Sequence, residues 1–142
     1  MKNLIGGKFV DASNGEKADV INPATNELID TVPLATEEDV DLCVKEAAKA
    51  QKGWAKMPLH ERGDILYKFA DLVEANHEEL AQLLSKETGK PIKEARAEIS
   101  NTKHFIHGYV EKAKHDYGNV IPAGSEVGQE KTMQITVQQP LG

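Results

Sequence analysis

The sequence predicts an α/β fold that is mainly helical, with a short β meander at one end of the chain and a single strand at the other. Residues 4–32 are rich in Val and Ile between turn signals, and residues 132–138 alternate between apolar and polar side chains, as strands do. From residue 36 to residue 117, apolar residues recur at spacings of three and four, which is the helical period. With 142 residues the chain has the length of one ordinary domain, since domains cluster at roughly 100–150 residues.

The composition excludes several classes of function. A net charge of −6 is opposite to the basic footprint of a nucleic-acid-binding protein. An aromatic content of 5% argues against a cleft built from exposed rings. The first residues lack the apolar run of a signal peptide, and the single cysteine suits a reducing compartment. No stretch approaches the roughly 18 apolar residues of a membrane span, so we expect a soluble, cytoplasmic protein.

Three short strands are predicted in the amino-terminal segment, near residues 4–10, 18–21 and 28–32. Turn signals separate them, first at residues 13–15 and then at residues 22–26. Asn and Gly tolerate positive φ and Pro presets the φ of a turn, so both segments favour a chain reversal.

Helices are predicted next. Thr36 provides a hydroxyl N-cap ahead of three acidic residues, and an apolar stripe continues the first helix to Trp54. The second helix runs from Leu59 to Asn76, and the third runs from His77 to Thr88, with Gly89 as the left-handed residue that ends it. The inward face of the second helix is expected to comprise Ile65, Leu66, Phe69, Ala70 and Val73.

The fourth and longest helix is predicted to begin after Pro91, which a first turn tolerates, and to end at Gly118 and Asn119. A loop at residues 122–125 leads to the final strand. The apolar face of that strand consists of Met133, Ile135 and Val137. No partner strand is evident near it in the sequence, so its backbone groups are expected to need one.

The reactive residues of the sequence are not spaced as in a known catalytic motif. Cys43 lies among acidic residues, which disfavour a thiolate, so we interpret it as a small, partly buried helix residue. The pairs Glu37–Glu38 and Glu78–Glu79 lie at helix starts, where negative charge is stabilising without any catalytic role. The glycine pair at residues 6–7 is not followed by the further glycines of a phosphate-binding loop.

His104, His107 and Glu111 are spaced on the fourth helix so that they could reach one metal ion. No second cluster of ligands completes such a site, and lysines surround the three residues. A solvated helix face is therefore the favoured interpretation.

Six short segments follow one another along the chain in a distinctive order. They are LIGGKFV at residues 4–10, VINPATNEL at 20–28, ERGDIL at 61–66, ETGKPIKEA at 87–95, YGNVIP at 117–122 and QPLG at 139–142. In this order they resemble the amino-terminal part of the NAD(P)-dependent aldehyde dehydrogenase superfamily, and the likeness covers essentially the entire chain. Asn26 stands where the family's turn has Gly.

The resemblance implies an α/β family fold of which this chain is an incomplete piece. Residues 1–122 would be the amino-terminal part of the cofactor-binding domain, and residues 123–142 would begin a β oligomerisation extension and return to the cofactor domain. The family oxidises aldehydes to acids by thiolate attack, hydride transfer to NAD or NADP, and hydrolysis of a thioester by a Glu-activated water. The catalytic Cys, the general-base Glu, the oxyanion Asn and the dinucleotide-binding region lie outside the matched segments, and Cys43 matches none of them. We therefore expect no catalytic or cofactor-binding residue here, and no activity from this chain alone.

The resemblance also implies partners and two sites. The strand from Lys131 to Gln138 would pair with other subunits, and the remaining partners would be the rest of an aldehyde dehydrogenase chain and a small aldehyde. A wall of the substrate entrance would be formed by Ile99, Thr102, Phe105 and Ile106, for which filling a core is the alternative. Backbone carbonyls would hold a monovalent cation at Val20, Ile21 and Glu87, for which a water molecule is the alternative.

Two other interpretations of the chain stay open at this point. One is a stand-alone helical protein-interaction module, and the other is a small metal-binding protein. The fragment hypothesis makes a further prediction about burial. A domain of roughly 150 residues hides about 68–70% of its unfolded surface, and this chain should fall short of that and expose an apolar patch.

Overall fold

The computed structural model describes residues 1–139, in which short antiparallel strand pairs precede and follow a run of helices. The segment Pro140-Leu141-Gly142, part of the resemblance, lies outside the described residues. The helices are α1 (Glu37–Lys56), α2 (Leu59–Ala75), α3 (His77–Thr88) and α4 (Ile92–Lys114). The strands are β1 (Asn3–Ile5), β2 (Lys8–Val10), β3 (Lys17–Ile21), β4 (Leu28–Pro33), β5 (Val120–Ile121) and β6 (Gln134–Ile135). The predicted mainly helical character is confirmed.

The first predicted strand is in fact a hairpin. Gly6 and Gly7 have φ angles of 57° and 77°, and left-handed φ at both central positions is what a type I′ turn requires. The chain therefore reverses between β1 and β2, which pair antiparallel with Leu4 opposite Phe9. The prediction of one continuous strand was wrong because the two adjacent glycines act as a hairpin signal that outweighs the strand propensity of their neighbours.

Strands β3 and β4 pair as predicted, around a turn that begins at Asn22. The Asn22 Oδ1 accepts a hydrogen bond of 2.9 Å from the Ala24 N–H, and the Asn26 N–H donates to the Asn22 carbonyl at 2.8 Å. Asn26 has a φ of 60°. Asn is among the few non-glycine residues that adopt this left-handed conformation, so it can replace a glycine at this position.

Helix α1 begins at the predicted cap. Thr36 Oγ1 accepts from the Asp39 N–H at 3.2 Å, and Asp39 Oδ2 accepts from the Thr36 N–H at 3.0 Å, which is a complete capping box. The Ser13 N–H also donates to Asp39 Oδ2 at 3.0 Å and ties the helix to the loop after β2. No residue of α1 is buried, so the predicted apolar stripe of this helix is present but uncovered.

Helices α2 and α3 both pack against α4, and small residues make that packing possible. A Cβ on Gly63 would lie 3.0 Å from Val110 Cγ1, so α2 and α4 approach closely only because residue 63 is glycine. Ala70 and Val73 are buried as predicted. Ala81 on α3 and Ala95 on α4 are buried too. Ile65, Leu66 and Phe69, also predicted to face inward, are exposed, because one neighbouring helix covers only a narrow stripe of α2.

The end of α4 and the final strand differ from the predictions. Helix α4 ends at Lys114, before Gly118, and the predicted strand at 131–138 is reduced to β6, which pairs antiparallel with β5. Thr136 Oγ1 accepts from the Asn119 N–H at 2.8 Å, and the Thr136 N–H donates to the Asn119 carbonyl at 2.9 Å. The expectation that no partner strand exists nearby was wrong because β5, at two residues, is too short to show a strand pattern. The apolar face is nevertheless uncovered, since Met133, Ile135 and Val137 are each more than 60% exposed.

The protein buries less surface than its mass requires for a compact domain. Its accessible surface is 10806 Å², whereas a compact monomer of 15.6 kDa exposes about 7,200 Å² and the unfolded chain about 22,600 Å². About 52% of the unfolded surface is therefore hidden, which is below the expected 68–70% or so for this size. Among residues 1–139, no helix has the length and apolar character needed to cross a membrane.

Candidate functional site

An apolar groove of about 450 Å³ lies between α2 and α4, and the end of α1 forms one wall of it. We call it the α2–α4 groove. The walls include Trp54 of α1, Arg62 and Leu66 of α2, and Thr102, Phe105 and Ile106 of α4. The groove exists because Gly63 and Val110 bring α2 and α4 together at its base, while the larger side chains on either side stay uncovered.

The groove contains three of the four residues predicted to line a substrate entrance. Thr102, Phe105 and Ile106 lie in its α4 wall. Ile99 lies one turn earlier on the same helix, where it is half-buried outside the groove. Phe105 is 64% exposed in this chain, and both the entrance and the core-filling interpretation stay open for it. That Ile99, Thr102, Phe105 and Ile106 face an aldehyde stays a prediction.

Arg62 is the groove residue that sequence reasoning missed. The residue is half-buried, and its Nε is buried without a hydrogen-bond partner among residues 1–139. The sequence carried a signal, because at helical spacing Arg62 lies on the same face of the second helix as Leu59 and Leu66. The sequence alone could not show whether another side chain pairs with it.

Arg96, the other arginine of the chain, is fully paired. Its Nε and Nη2 donate to the two carboxylate oxygens of Glu78 at 2.9 and 2.8 Å. These bonds, with a further one from Gln82, lower the pKa of Glu78 to about 2. The two arginines therefore differ: Arg96 is exposed and makes a bidentate pair, whereas Arg62 is half-buried and its Nε has no partner within the described chain.

The residues considered for a metal site are engaged elsewhere. Lys114 Nζ donates to Glu111 Oε1 at 2.7 Å and to the Tyr67 hydroxyl at 3.1 Å, and the Tyr67 hydroxyl also donates to Glu111. The hydrogen bond to Glu111 is the main cause that raises the pKa of Lys114 to about 12. The His107 ring packs against the Tyr67 ring at a centroid distance of 4.7 Å and a tilt of 58°, while His104 Nδ1 donates to the Ser100 backbone carbonyl one turn earlier. Within residues 1–139 no group of three or more His, Cys, Asp or Glu side chains is placed to hold a metal ion.

The segments that would hold a monovalent cation lie side by side. Gly89 ends α3 with a φ of 70°, as predicted, and a Cβ there would lie 3.0 Å from Pro23 Cγ in the β3–β4 turn. The end of α3 that carries Glu87 is therefore adjacent to the strand that carries Val20 and Ile21. A β-bulge between Val20 and Ile21 interrupts the ladder there, which frees backbone groups from pairing. The site of a monovalent cation at these carbonyls stays a prediction.

The described residues do not fit a dinucleotide cofactor by themselves. The described strands pair only as antiparallel couples, whereas the dinucleotide sites of doubly wound folds lie at the carboxyl ends of parallel strands.

Cys43 and the acidic pairs show no catalytic arrangement. Cys43 is exposed on α1, not partly buried as predicted, because nothing covers that helix face. The acidic pairs lie in the first turns of α1 and α3, where they were predicted to stabilise helix starts.

Comparison with known proteins identifies the fold. The family model described as "Aldehyde dehydrogenase family" matches residues 9–142. A glutarate-semialdehyde dehydrogenase of Pseudomonas putida is 36% identical over 97% of this chain, and a succinate-semialdehyde dehydrogenase [NADP(+)] of Escherichia coli is 34% identical over 98%. Among solved structures, the NADP-dependent glyceraldehyde-3-phosphate dehydrogenase of Bacillus halodurans matches 98% of this chain at 31% identity, with a TM-score of 0.89.

The match covers only part of each relative. The chain spans 28% of each of the two semialdehyde dehydrogenases and 29% of the Bacillus chain. The comparisons favour this family over a stand-alone interaction module, because the likeness extends along almost the whole chain. By sequence and by backbone, the chain belongs to the aldehyde dehydrogenase family.

Proposed function

We propose that these 142 residues form the amino-terminal scaffold of an NAD(P)-dependent aldehyde dehydrogenase, which in its complete form oxidises an aldehyde to a carboxylic acid. One observation carries the proposal. The backbone superimposes on a known family member at a TM-score of 0.89 over 98% of its own length, yet it accounts for only 29% of that member. The same architecture is therefore one part of a larger molecule in the relative.

The uncovered apolar surface supports this role. Large apolar side chains are exposed on every element type, from Phe9 on β2 to Phe105 on α4 and Met133 before β6. Soluble monomers rarely expose large apolar patches, and such patches mark places where other protein packs. A scaffold completed by further polypeptide explains them.

The catalytic residues are proposed to lie in the parts of the complete enzyme that this chain does not cover. A Cys thiolate there attacks the aldehyde, a hydride passes to NAD or NADP, and water hydrolyses the resulting thioester to release the acid and restore the thiol. No residue of this chain takes a catalytic role in that proposal, so the chain alone is expected to be inactive.

Further assignments follow from the same resemblance. We propose that residues 1–122 belong to the cofactor domain and that residues 123–142 begin an oligomerisation extension, in which the segment from Lys131 to Gln138 pairs with another subunit. The uncovered apolar face around β6 supports that pairing. The proposed entrance residues are Ile99, Thr102, Phe105 and Ile106, and the proposed cation ligands are the carbonyls of Val20, Ile21 and Glu87.

The names of the relatives suggest which aldehydes to test first. The two relatives are named for glutarate semialdehyde and succinate semialdehyde, which carry a carboxylate at the far end. We propose such semialdehydes as the first substrates for the complete enzyme.

The test is formation of NADH or NADPH from a panel of aldehydes. The purified 142-residue chain should show no turnover, whereas the chain co-expressed with the Pseudomonas putida enzyme that lacks its own matched segment should show aldehyde-dependent reduction. Sustained turnover by the chain alone would refute the scaffold role.

A further inference from the structure

We propose that the α2–α4 groove is the docking site for the remaining part of an aldehyde dehydrogenase polypeptide, which seats an apolar side chain beside Trp54 and presents a carboxylate to Arg62. This inference rests on the proposed function, because the partner is the polypeptide that completes the enzyme. In the complete enzyme the proposed entrance would then lie between this polypeptide and the α4 wall of Thr102, Phe105 and Ile106.

The Nε of Arg62 is buried and has no acceptor within the described chain. A buried donor nitrogen without an acceptor is costly to the folded state, and the guanidinium that carries it is always charged. Arg96 in the same chain makes a bidentate pair with Glu78, which is the arrangement that guanidinium groups favour with carboxylates.

The groove offers one charge in an apolar setting. Among residues 1–139, Arg62 is the only charged residue that lines it, and Trp54, Leu66 and Phe105 supply apolar walls. A chain of net charge −6 thus presents a cationic point inside an apolar groove. The complementary surface is an apolar side chain with a carboxylate near it.

The composition of the groove is that of a protein interface. Trp, Tyr and Arg dominate the residues whose truncation weakens protein association, and they cluster in pockets that lose water on binding. The groove contains Trp54, Arg62 and Tyr109, and Tyr109 is 73% exposed in the structure. These three residues are of the types that anchor protein interfaces, and no other part of the described chain covers Tyr109.

Two observations identify the occupant as the completing polypeptide. The relatives contain this fold as 28–29% of their length, so the larger part of each relative remains to pack against it. Gln138 and Gln139 line a second cavity together with Trp54 and Arg62. The chain therefore passes beside the groove at residues 138–139, which places any polypeptide that follows within reach of Arg62.

The experiment is a binding titration with a truncated relative. The partner is a semialdehyde dehydrogenase polypeptide without its matched segment, chosen because it binds its own isolated segment. The chain carries 5-fluorotryptophan, so that its single tryptophan, Trp54, gives one fluorine resonance that reports on the groove. The variants are Arg62→Met, which keeps an apolar stem, Arg62→Lys, and the matched control Arg96→Met.

The proposal predicts opposite effects of Arg62→Met on the free chain and on the complex. Removing a buried Nε donor that has no acceptor should leave the melting temperature of the free chain unchanged or raised, whereas the affinity should fall by at least about 30-fold, as expected for the loss of a charge pair that is buried in the complex. Arg62→Lys should restore part of the affinity, and Arg96→Met should leave it unchanged. The Trp54 resonance should shift on binding of the unsubstituted chain.

Each contrary result has its own meaning. No binding by the unsubstituted chain would overturn the proposed function. Binding of Arg62→Met with unchanged affinity, or a lowered melting temperature of its free form, would overturn only the role of Arg62. A Trp54 shift on addition of succinate to the free chain, lost in Arg62→Met, would replace the polypeptide by a small carboxylate as the occupant and so overturn the docking proposal.

Discussion

At the scale of single residues, Gly118 shows how one missing side chain shapes the end of the molecule. It has a φ of 83°, and a Cβ there would lie 2.0 Å from the Thr136 carbonyl oxygen. The left-handed backbone requires glycine at residue 118, and so does the close approach of Thr136, the residue that follows β6.

Replacing Gly118 by alanine should detach β6 from β5. We expect the Thr136 amide, which bonds to the Asn119 carbonyl, to lose its protection against hydrogen exchange. The control is Gly108→Ala on α4, where a Cβ meets nothing within 4 Å. This variant should instead be stabilised by up to about 1 kcal/mol through helix propensity. An unchanged Thr136 exchange rate in Gly118→Ala would contradict the structure at this point.

Glu78 provides a prediction of pH dependence. Its pKa is lowered to about 2, chiefly by hydrogen bonds from Arg96. A carboxyl with a lowered folded-state pKa stabilises the fold above its unfolded pKa, and that contribution is lost as the pH falls towards 2. The carboxyl carbon of Glu78 should titrate near pH 2 by NMR, and Arg96→Met should move the midpoint upwards. A midpoint that does not move in Arg96→Met would show that Arg96 is not the cause.

The residue scale also shows which contacts a sequence can predict. Thr36 and Gly89 act within a few residues of themselves, so their roles as caps were predicted and confirmed. Asp39 was predicted as an acidic residue at the helix start, and its capping-box bond to Thr36 was not predicted. The Glu78–Arg96 pair joins α3 to α4 across the turn between them. Whether Arg62 Nε finds an acceptor depends on which side chains of α1 and α4 lie beside it. Contacts of this kind depend on how the helices pack, and the spacing of residues along the chain does not predict that packing.

At the scale of elements, α1 depends on its own ends for stability. None of its residues is buried, and most helical stability in proteins comes from packing of an apolar face. The capping box of Thr36 and Asp39 and the hydrogen bonds from Ser13 therefore hold the start of the helix.

Removing the cap should loosen α1 selectively. Loss of an N-cap hydroxyl costs about 0.5–2 kcal/mol, so Thr36→Ala should speed amide exchange in α1 by roughly 2- to 30-fold. Thr36→Ser keeps the hydroxyl and should leave the exchange close to that of the unsubstituted chain. Equal acceleration in α1 and α4, measured by hydrogen exchange with mass spectrometry, would show that the cap acts on the whole fold.

The elements were predicted unevenly, for physical reasons. The bounds of α2 and α3 were found almost to the residue because Pro58, Asn76 and Gly89 separate them. The hairpin of β1 and β2 and the pairing of β5 with β6 were not found. Short strands are specified by turn geometry and by distant partners, which a pattern of two or three residues cannot reveal.

At the scale of the whole molecule, the thin core and the large surface have one explanation in our account. Small residues such as Ala70, Ala81 and Ala95 fill the helix junctions, while large apolar residues remain outside. The sequence predicted low burial through its family resemblance. It could not locate the uncovered groove, because the groove forms only when α1, α2 and α4 meet.

The isolated chain should bind an apolar fluorescent dye and self-associate. Its accessible surface of 10806 Å² exceeds the compact value by about half, and exposed apolar patches favour association. Dye fluorescence and light scattering across a dilution series measure both properties. A dilution-resistant monomer that does not enhance dye fluorescence would count against the exposed surface.

The most direct measurement of the central claim is hydroxyl-radical footprinting of the chain, free and bound to the truncated relative. Our account predicts that Phe9, Phe105, Tyr109 and Met133, all exposed in the structure, react readily in the free chain and become protected in the complex. Low reactivity of these side chains in the free chain, or equal reactivity in both states, would contradict the claim that this surface is built to be covered by the rest of an aldehyde dehydrogenase.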